Sequence, residues 1–315
     1  MWNTRLTQLL GIDYPIVQGA MAYISESTLV SAVCRAGGTG VIATGGLPTE
    51  HVRDEIRKCK ELTDKPFGVN LMLQSPNKDD IAQLVCDEKV AFVTIGAGNP
   101  VPYFEPLHKA GVKCIPVVPS VKLAKRVQEK GADALVIEGM EAGGHDGMQT
   151  CMALMENVIP EVEIPVIAAG GIADGRAVAA ALIMGASGVQ IGSRFLVAEE
   201  CQVHKNFKDA ILNATDTDSV LMGFTKNSNV RGLRNAFAEA YLKKEFAGAP
   251  TAELNTMAAG TNKKAAVDGD ITEGFVQVGQ SLNRLTKIES VADIMKELTK
   301  DAEDRLRNGL SYIGK

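Results

Sequence analysis

Residues 164–195 read IPVIAAGGIADGRAVAAALIMGASGVQIGSRF, and their rhythm decides the fold. A short apolar run at 165–170 gives way to glycines. A helical pattern follows over 176–184, with Gly185 placed where a left-handed glycine stops a helix. A second run then occupies 188–195. Both runs are apolar throughout rather than alternating, which is the signature of parallel strands buried on both faces. The same unit recurs upstream. Runs at 12–19, 40–44, 67–73, 92–97, 114–119 and 134–139 bring the candidate strands to eight. Helical patterns lie between them at 27–36, with Ser25 as the expected N-cap, and at 50–61, 78–88, 102–110, 121–130 and 152–159. Strand–helix alternation repeated eight times predicts an α/β protein built as a closed TIM-type (β/α)8 barrel. An open doubly wound sheet is the alternative, because alternation alone does not show closure.

Length and composition agree with that architecture. The chain has 315 residues, 45% of them hydrophobic, and a barrel takes roughly 250 residues. Aromatics make up only 5% while glycines number 31, so small and β-branched residues must build the core. After residue 195 the rhythm breaks. Residues 203–278 are more polar and mostly helical in pattern, with an amphipathic helix at 235–246 and a turn-rich return, VDGDITEG, at 267–274. Closing helices are expected at 280–285 and 290–308. The predicted organisation is a barrel of residues 1–202 and 279–315, with a small helical lid, 203–278, inserted after the eighth strand.

The net charge of −5 argues against nucleic acid as a partner, because a phosphate backbone calls for a basic field. No apolar run approaches the roughly 20 residues of a membrane span. The opening MWNTR has no apolar stretch of the signal-peptide kind. A cytoplasmic protein without membrane insertion is expected. The six cysteines, Cys34, Cys59, Cys86, Cys114, Cys151 and Cys201, are scattered without a CxxC pair, so reduced thiols and no metal site are expected.

In such barrels the active site lies at the C-terminal ends of the strands. The first strand runs into Gly19, Ala20, Met21 and Ala22, small residues that let backbone approach a flat ligand, with a methionine that can lie on a ring. A tight turn with a core methionine is the plainer alternative. Asn70 interrupts the apolar third strand. A buried amide needs partners, and either a heterocycle edge or a neighbouring loop would supply them. The sixth strand ends in EGMEAGGHDG, 138–147, which puts His145 in a glycine-rich loop with Gly143 and Gly144. Histidine is the side chain suited to moving protons near neutral pH, and His145 is the candidate catalytic residue. The other three histidines, His51, His108 and His204, fall in polar, solvated contexts. Ala169, Gly170 and Gly171 after the seventh strand, with Gln190, Gly192 and Ser193 at the eighth, match the barrel phosphate site of backbone amides and a helix N-terminus. A phosphate there, with Met21 and Asn70 across the barrel mouth, suits an extended ligand of the shape of FMN.

These motifs resemble the nitronate monooxygenase family, formerly called 2-nitropropane dioxygenases. The resemblance covers nearly the whole chain and rests on YPIVQGAM (14–21), PFGVN (66–70), EGMEAGGHDG (138–147), IPVIAAGGIADG (164–175) and GVQIGSRF (188–195). Within the family it is strongest to the flavin-dependent enoyl-[acyl-carrier-protein] reductases II, through IGAGNP (95–100), IPVVPSV (115–121) and VDGDITEG followed by VGQS (278–281). The resemblance implies bound FMN, NAD(P)H as co-substrate and reduction of a trans-2-enoyl thioester carried on acyl-carrier protein, in a homodimer. It adds Thr44, Glu138 and Gln280 to the cofactor-binding residues. The sequence departs from the reductase pattern at Ala20, Asp146 and Ser193, and Asp146 sets an extra carboxylate beside the histidine.

His145 serves a monooxygenase as well as a reductase, so it does not discriminate them. A non-catalytic or sugar-phosphate-binding barrel is the third possibility. An acidic carrier would need a basic patch on this acidic protein, and Lys226, Arg231, Arg234, Lys243 and Lys244 in the lid are its candidates, a solvated helix face being the alternative.

Overall fold

A computed structural model describes residues 2–312. Its strands are β1 (Ile16–Gln18), β2 (Thr39–Ile42), β3 (Gly68–Met72), β4 (Phe92–Gly96), β5 (Lys113–Val118), β6 (Leu135–Glu138), β7 (Gly144–His145), β8 (Val166–Ala169), β9 (Gly188–Ile191), β10 (Ser219–Met222) and β11 (Val230–Leu233). Eight of them close a parallel barrel in the order β1-β2-β3-β4-β5-β6-β8-β9. Closure is by β9 on β1, with Val189 opposite Ile16 and Ile191 opposite Gln18. The expected (β/α)8 barrel is therefore present and the open sheet is excluded.

The barrel interior is filled by Val17, Val41, Phe92, Ile115, Val136 and Ile167. One large ring fits because its neighbour is a glycine: a Cβ on Gly68 would lie 2.4 Å from the Phe92 ring. Below, a helix absent from the sequence reading (Arg5–Leu10) plugs the base with Leu6 and Leu10. The wider cluster between strands and outer helices joins Ile16, Val69, Val93, Cys114, Leu135 and Val189 to the helix faces. The long helix Val291–Asn308 completes the outer ring against Gly175–Ile183. It comes so close that a Cβ on Gly175 would sit 2.5 Å from the Ala302 amide.

Four local expectations are corrected. Ser25 does not cap the helix Ser27–Arg35; Glu26 occupies that position without a side-chain bond. The Ser25 hydroxyl instead receives the Met21 amide at 2.9 Å and the Gln18 side chain at 2.8 Å, which ties down the first loop. The eighth strand ends at Ile191, and Ser193–Leu196 turns into a short helix. Over 280–285 only a 3₁₀ turn forms, Leu282–Arg284. The lid is not purely helical: β10 and β11 pair antiparallel, and β11 pairs in turn with β7 from the barrel loop. Helices Ala236–Phe246 and Thr251–Ala258 pack on this sheet through Phe237, Ala238, Tyr241 and Leu254, with Phe275 of the return segment in the same cluster. Among the described residues no helix is long and apolar enough to cross a membrane.

Candidate functional site

At the C-terminal end of the barrel strands a cavity of about 460 Å³ opens beneath the lid. The strand-end loops build it, and they are of two kinds. On one side the chain leaves β8 and β9 through Gly170 and Gly171, whose φ values are +97° and +72°, and through Gly192. The backbone N–H groups of Gly170, Gly171 and Gly192 donate to no acceptor among the described residues. All three face the cavity with Ser193 beside them. The Ser193 hydroxyl receives the Gly279 amide at 2.9 Å, which leaves its proton free to donate. Unpaired amides beside a hydroxyl make an anion cradle. Among the described residues no lysine or arginine lines the cavity, so an anion here would be held by dipoles rather than by a cation.

The floor carries amides. Asn70 in β3 faces Thr94 across the β3–β4 register, and its Nδ2 donates to the Thr94 hydroxyl at 3.0 Å. Its Oδ1 makes no hydrogen bond to the described residues. Gln190 lies across Gly19, where a Cβ would meet the glutamine Cγ at 2.9 Å. Ala20, Met21 and Ala22 border the same space, and the Met21 sulfur comes within 3.6 Å of a Cβ built on Gly192. The lid meets this rim where Asn262 Nδ2 donates to the Ala22 carbonyl at 3.1 Å.

The third wall is the loop after β6. Glu138 ends the strand, and Gly139 donates back to Ala169 at 2.9 Å. The Glu141 carboxylate accepts the Cys151 amide at 2.9 and 3.0 Å, pinning the loop to helix Cys151–Val158. Its carbonyl accepts the Gln280 amide at 3.0 Å. Gly143 presses on the return segment, where a Cβ would lie 2.6 Å from the Val278 carbonyl carbon. His145 stands at the mouth. It is exposed by surface area, yet surrounding protein desolvates the ring and lowers its pKa below the ordinary histidine value, while the facing Asn229 carbonyl partly opposes this. Burial pushes Glu138 up to about 7, with the nearby Asp146 adding to the rise. Burial likewise raises Asp146 to about 7 against the pull of Arg231.

The structure thus brings His145, Ala20, Met21, Ala22, Asn70, Glu138, Gly143, Gly144, Ala169, Gly170, Gly171, Gln190, Gly192, Ser193 and Gln280 to one cavity. Thr44 is the exception. It is 1% exposed behind the wall, where its hydroxyl donates to the Asn70 carbonyl at 2.8 Å. Glu141, Asn262, Gln277 and Ser281 also line the cavity and were missed. Gln277 was legible by the reasoning applied to Asn70, as an amide inside the apolar run FVQV.

The lid's basic patch does not form as expected. Arg231 is 4% exposed, inside the molecule. Arg234 pairs with Glu239 and Lys244 with Glu253, which leaves Lys226 and Lys243 as the members without an ion pair among the described residues. Elsewhere His108, Cys114 and Asp133 converge. Asp133 Oδ2 already bonds the Cys114 amide at 2.7 Å and His108 Nε2 at 2.8 Å, and burial pushes the Cys114 thiol up to about 12. That trio is a structural clip.

Comparison with known proteins adds independent information. The family model described as nitronate monooxygenase matches residues 3–87 and 81–301. The solved structure of FabK from Thermotoga maritima superposes with a TM-score of 0.96 at 42% identity, covering 99% of this chain and 100% of that one. A (3aS,4S,5R,7aS)-5-hydroxy-7a-methyl-1-oxo-octahydro-1H-indene-4-carboxyl-CoA dehydrogenase from Rhodococcus jostii is 31% identical, over 96% of this chain and 97% of its own. A probable nitronate monooxygenase from Staphylococcus aureus is 32% identical, over 89% and 92%.

Proposed function

The chain belongs to the nitronate monooxygenase family of oxidoreductases, and from that premise we propose that it is an FMN-dependent enoyl-acyl-carrier-protein reductase using NAD(P)H. The observation that carries the reading is the pairing, in one cavity, of three unpaired glycine amides at one rim with His145 at the other. The full-length likeness to FabK, an enoyl-ACP reductase II, supports the substrate class.

The residues present fit FMN. The amides of Gly170, Gly171 and Gly192 and the Ser193 hydroxyl would hold its phosphate, and the side-chain amides of Asn70 and Gln190 would meet polar edges of its ring. When bound, FMN would supply the relay of hydride from NAD(P)H to the β-carbon of a trans-2-enoyl thioester. Burial lowers the His145 pKa, and its neutral ring N–H would donate to the thioester carbonyl and stabilise the negative charge that hydride addition develops there, while the α-carbon takes its proton from solvent. Asn262 and Gln277 line the cavity from the lid side.

A second reading, nitronate monooxygenase, is favoured by the same lowered pKa, since a neutral imidazole is ready to take a substrate α-proton. The test is NAD(P)H oxidation by the FMN-loaded protein without oxygen, with and without crotonyl-coenzyme A. The reductase reading expects crotonyl-dependent oxidation that falls about 10²–10⁴-fold in His145→Ala while the flavin is retained. No crotonyl-dependent turnover, with oxygen uptake on an alkyl nitronate, would replace it by the monooxygenase. A colourless protein that takes up no FMN would sink both. Acyl-carrier protein as the carrier and a homodimer as the assembly belong to the same proposal. Use of a carrier-linked substrate and the mass in solution test them.

A further inference from the structure

His145 is held from outside the barrel. In the register of β7 on β11, Val230 lies opposite His145 and Arg231 opposite Gly144. The Arg231 side chain is buried beneath the histidine loop, where its Nε donates to the Met140 carbonyl at 2.7 Å. One terminal nitrogen donates to the Ser219 hydroxyl of β10 at 3.1 Å. The same Nε stands 3.7 Å from Oδ2 of Asp146, whose side chain is 0% exposed. Neither Asp146 carboxylate oxygen has a hydrogen-bond partner among the described residues, so Arg231 is its nearest compensation. Asn229 grips the other side. Its Nδ2 donates to the Gly147 carbonyl at 3.1 Å, and its own carbonyl receives the Asp146 amide. Three consecutive lid residues therefore bind the loop both before and after the histidine.

A buried guanidinium–carboxylate pair is a weak source of stability, because desolvation of both charges offsets their attraction. Its use is to fix geometry. The loop it fixes needs fixing: Gly143 and Gly144 precede the histidine, and Gly144 adopts φ +85°. A misplacement of ~1 Å at a reacting group costs on the order of 100-fold in rate. We propose that Arg231, with Asp146 as its counter-charge, is a positioning residue that clamps the His145 loop to the lid and sets where the imidazole stands over the cavity. The charged groups facing this pair are Glu141 beside Arg231 and Glu138 beside Asp146. The clamp rests on the proposed function only in taking His145 as the group that meets the thioester carbonyl.

The test reads the histidine directly. The protein is labelled at histidine Cε1, the His145 resonance is identified by its loss in His145→Gln, and its titration is followed in wild type, Arg231→Lys and Arg231→Met. In Arg231→Met the freed loop should carry the ring into water, so its midpoint should move up towards the ordinary histidine value. Crotonyl-coenzyme A turnover should fall about 100-fold in kcat with little change in KM. Arg231→Lys, which keeps the charge and one donor, should recover part of both. A folded Arg231→Met with wild-type midpoint and kcat would overturn the clamp. If that variant does not fold, Ser219→Ala removes a single guanidinium bond and should give a smaller shift in the same direction, and no shift there overturns the clamp equally. Wild-type protein without enoyl turnover would count against the proposed function alone, because the titration reads the clamp without turnover.

Discussion

The two rims of the cavity are made by different means. The rim after β8 and β9 consists of backbone: glycine amides without partners, set by positive φ at Gly170 and Gly171. The rim after β6 consists of side chains: His145, Glu138, Glu141 and Asp146, held by contacts from the distant lid. A rim of backbone dipoles costs little to preorganise and suits a permanent anionic tenant. A rim in which Glu138 and Asp146 are raised towards neutrality beside a histidine suits proton handling, and it is set by residues that lie 80 or more positions away, as Asn229 is from Gly147 (|i−j| = 82). The lesson is that one barrel mouth can separate holding from reacting.

The largest effect that would sharpen this contrast comes where the two kinds of wall touch. A Cβ on Gly143 would lie 2.6 and 2.7 Å from the carbonyl carbon and Cα of Val278 and 2.8 Å from the Gly279 amide, all of them backbone. Gly143→Ala must part the histidine loop from the return segment, at a cost of about 3 kcal/mol or more. Gly45→Ala is the control. Its nearest neighbour would be the Ala22 Cβ at 3.7 Å, an ordinary contact, so its stability should stay within ~0.5 kcal/mol of wild type. Urea midpoints of the two variants decide it, and equal midpoints would break the claim that the loop is wedged.

The same division explains what the sequence revealed. The phosphate-side rim was legible because it is local: AAGGIADG and QIGSR carry their geometry in adjacent residues, and glycine pairs after apolar runs need no distant information. The lid sheet was not. Its strand VRGL holds an arginine and a glycine, reads as surface, and becomes a strand by pairing with Ser219–Met222 on one side and with a two-residue segment at 144–145 on the other. Arg231 looked like a member of a solvated basic patch for the same reason, since its burial is decided by Met140, Ser219 and Asp146 and not by its neighbours in the chain. Thr44, which the resemblance counts among the cofactor-binding residues, turns its hydroxyl to the Asn70 carbonyl behind the wall, because the direction a side chain faces at a strand end is decided by the neighbouring strand.

The acids of the reacting rim predict a pH dependence of intermediate size. Asp146 and Glu138 both have folded pKa values of about 7, above the ordinary carboxylate value near 4. Between those values the folded state binds more protons than the unfolded state, so stability falls as pH rises. The stabilisation is fully present below pH ~4 and lost as pH passes ~7. From pH 5 to pH 8 the wild-type protein should lose on the order of 2 kcal/mol through this pair, a figure that treats the two as one coupled titration. In the double variant Asp146→Asn, Glu138→Gln that part of the slope should vanish. Parallel curves for wild type and variant would mean that both carboxyls titrate normally and that the reacting rim is as wet as the surface.

The smallest effect bears on the boundary of the holding rim. Thr44 donates its hydroxyl to the Asn70 carbonyl from behind the wall, whereas Ser193 presents its hydroxyl to the cavity. Thr44→Val keeps the shape and removes one buried hydrogen bond, so it should cost about 1 kcal/mol of stability. Its flavin affinity should be unchanged, because Asn70 keeps its place through the Thr94 bond and the β3–β4 ladder. Ser193→Ala should do the reverse. The Gly279 amide loses its acceptor and a bound phosphate loses a donor, so flavin affinity should fall by roughly tenfold for about 1.4 kcal/mol of lost hydrogen bonding. Fluorescence titration with FMN separates the two variants. Weaker flavin binding in Thr44→Val at unchanged stability would place that hydroxyl among the groups that touch the ligand and extend the holding rim around to β2.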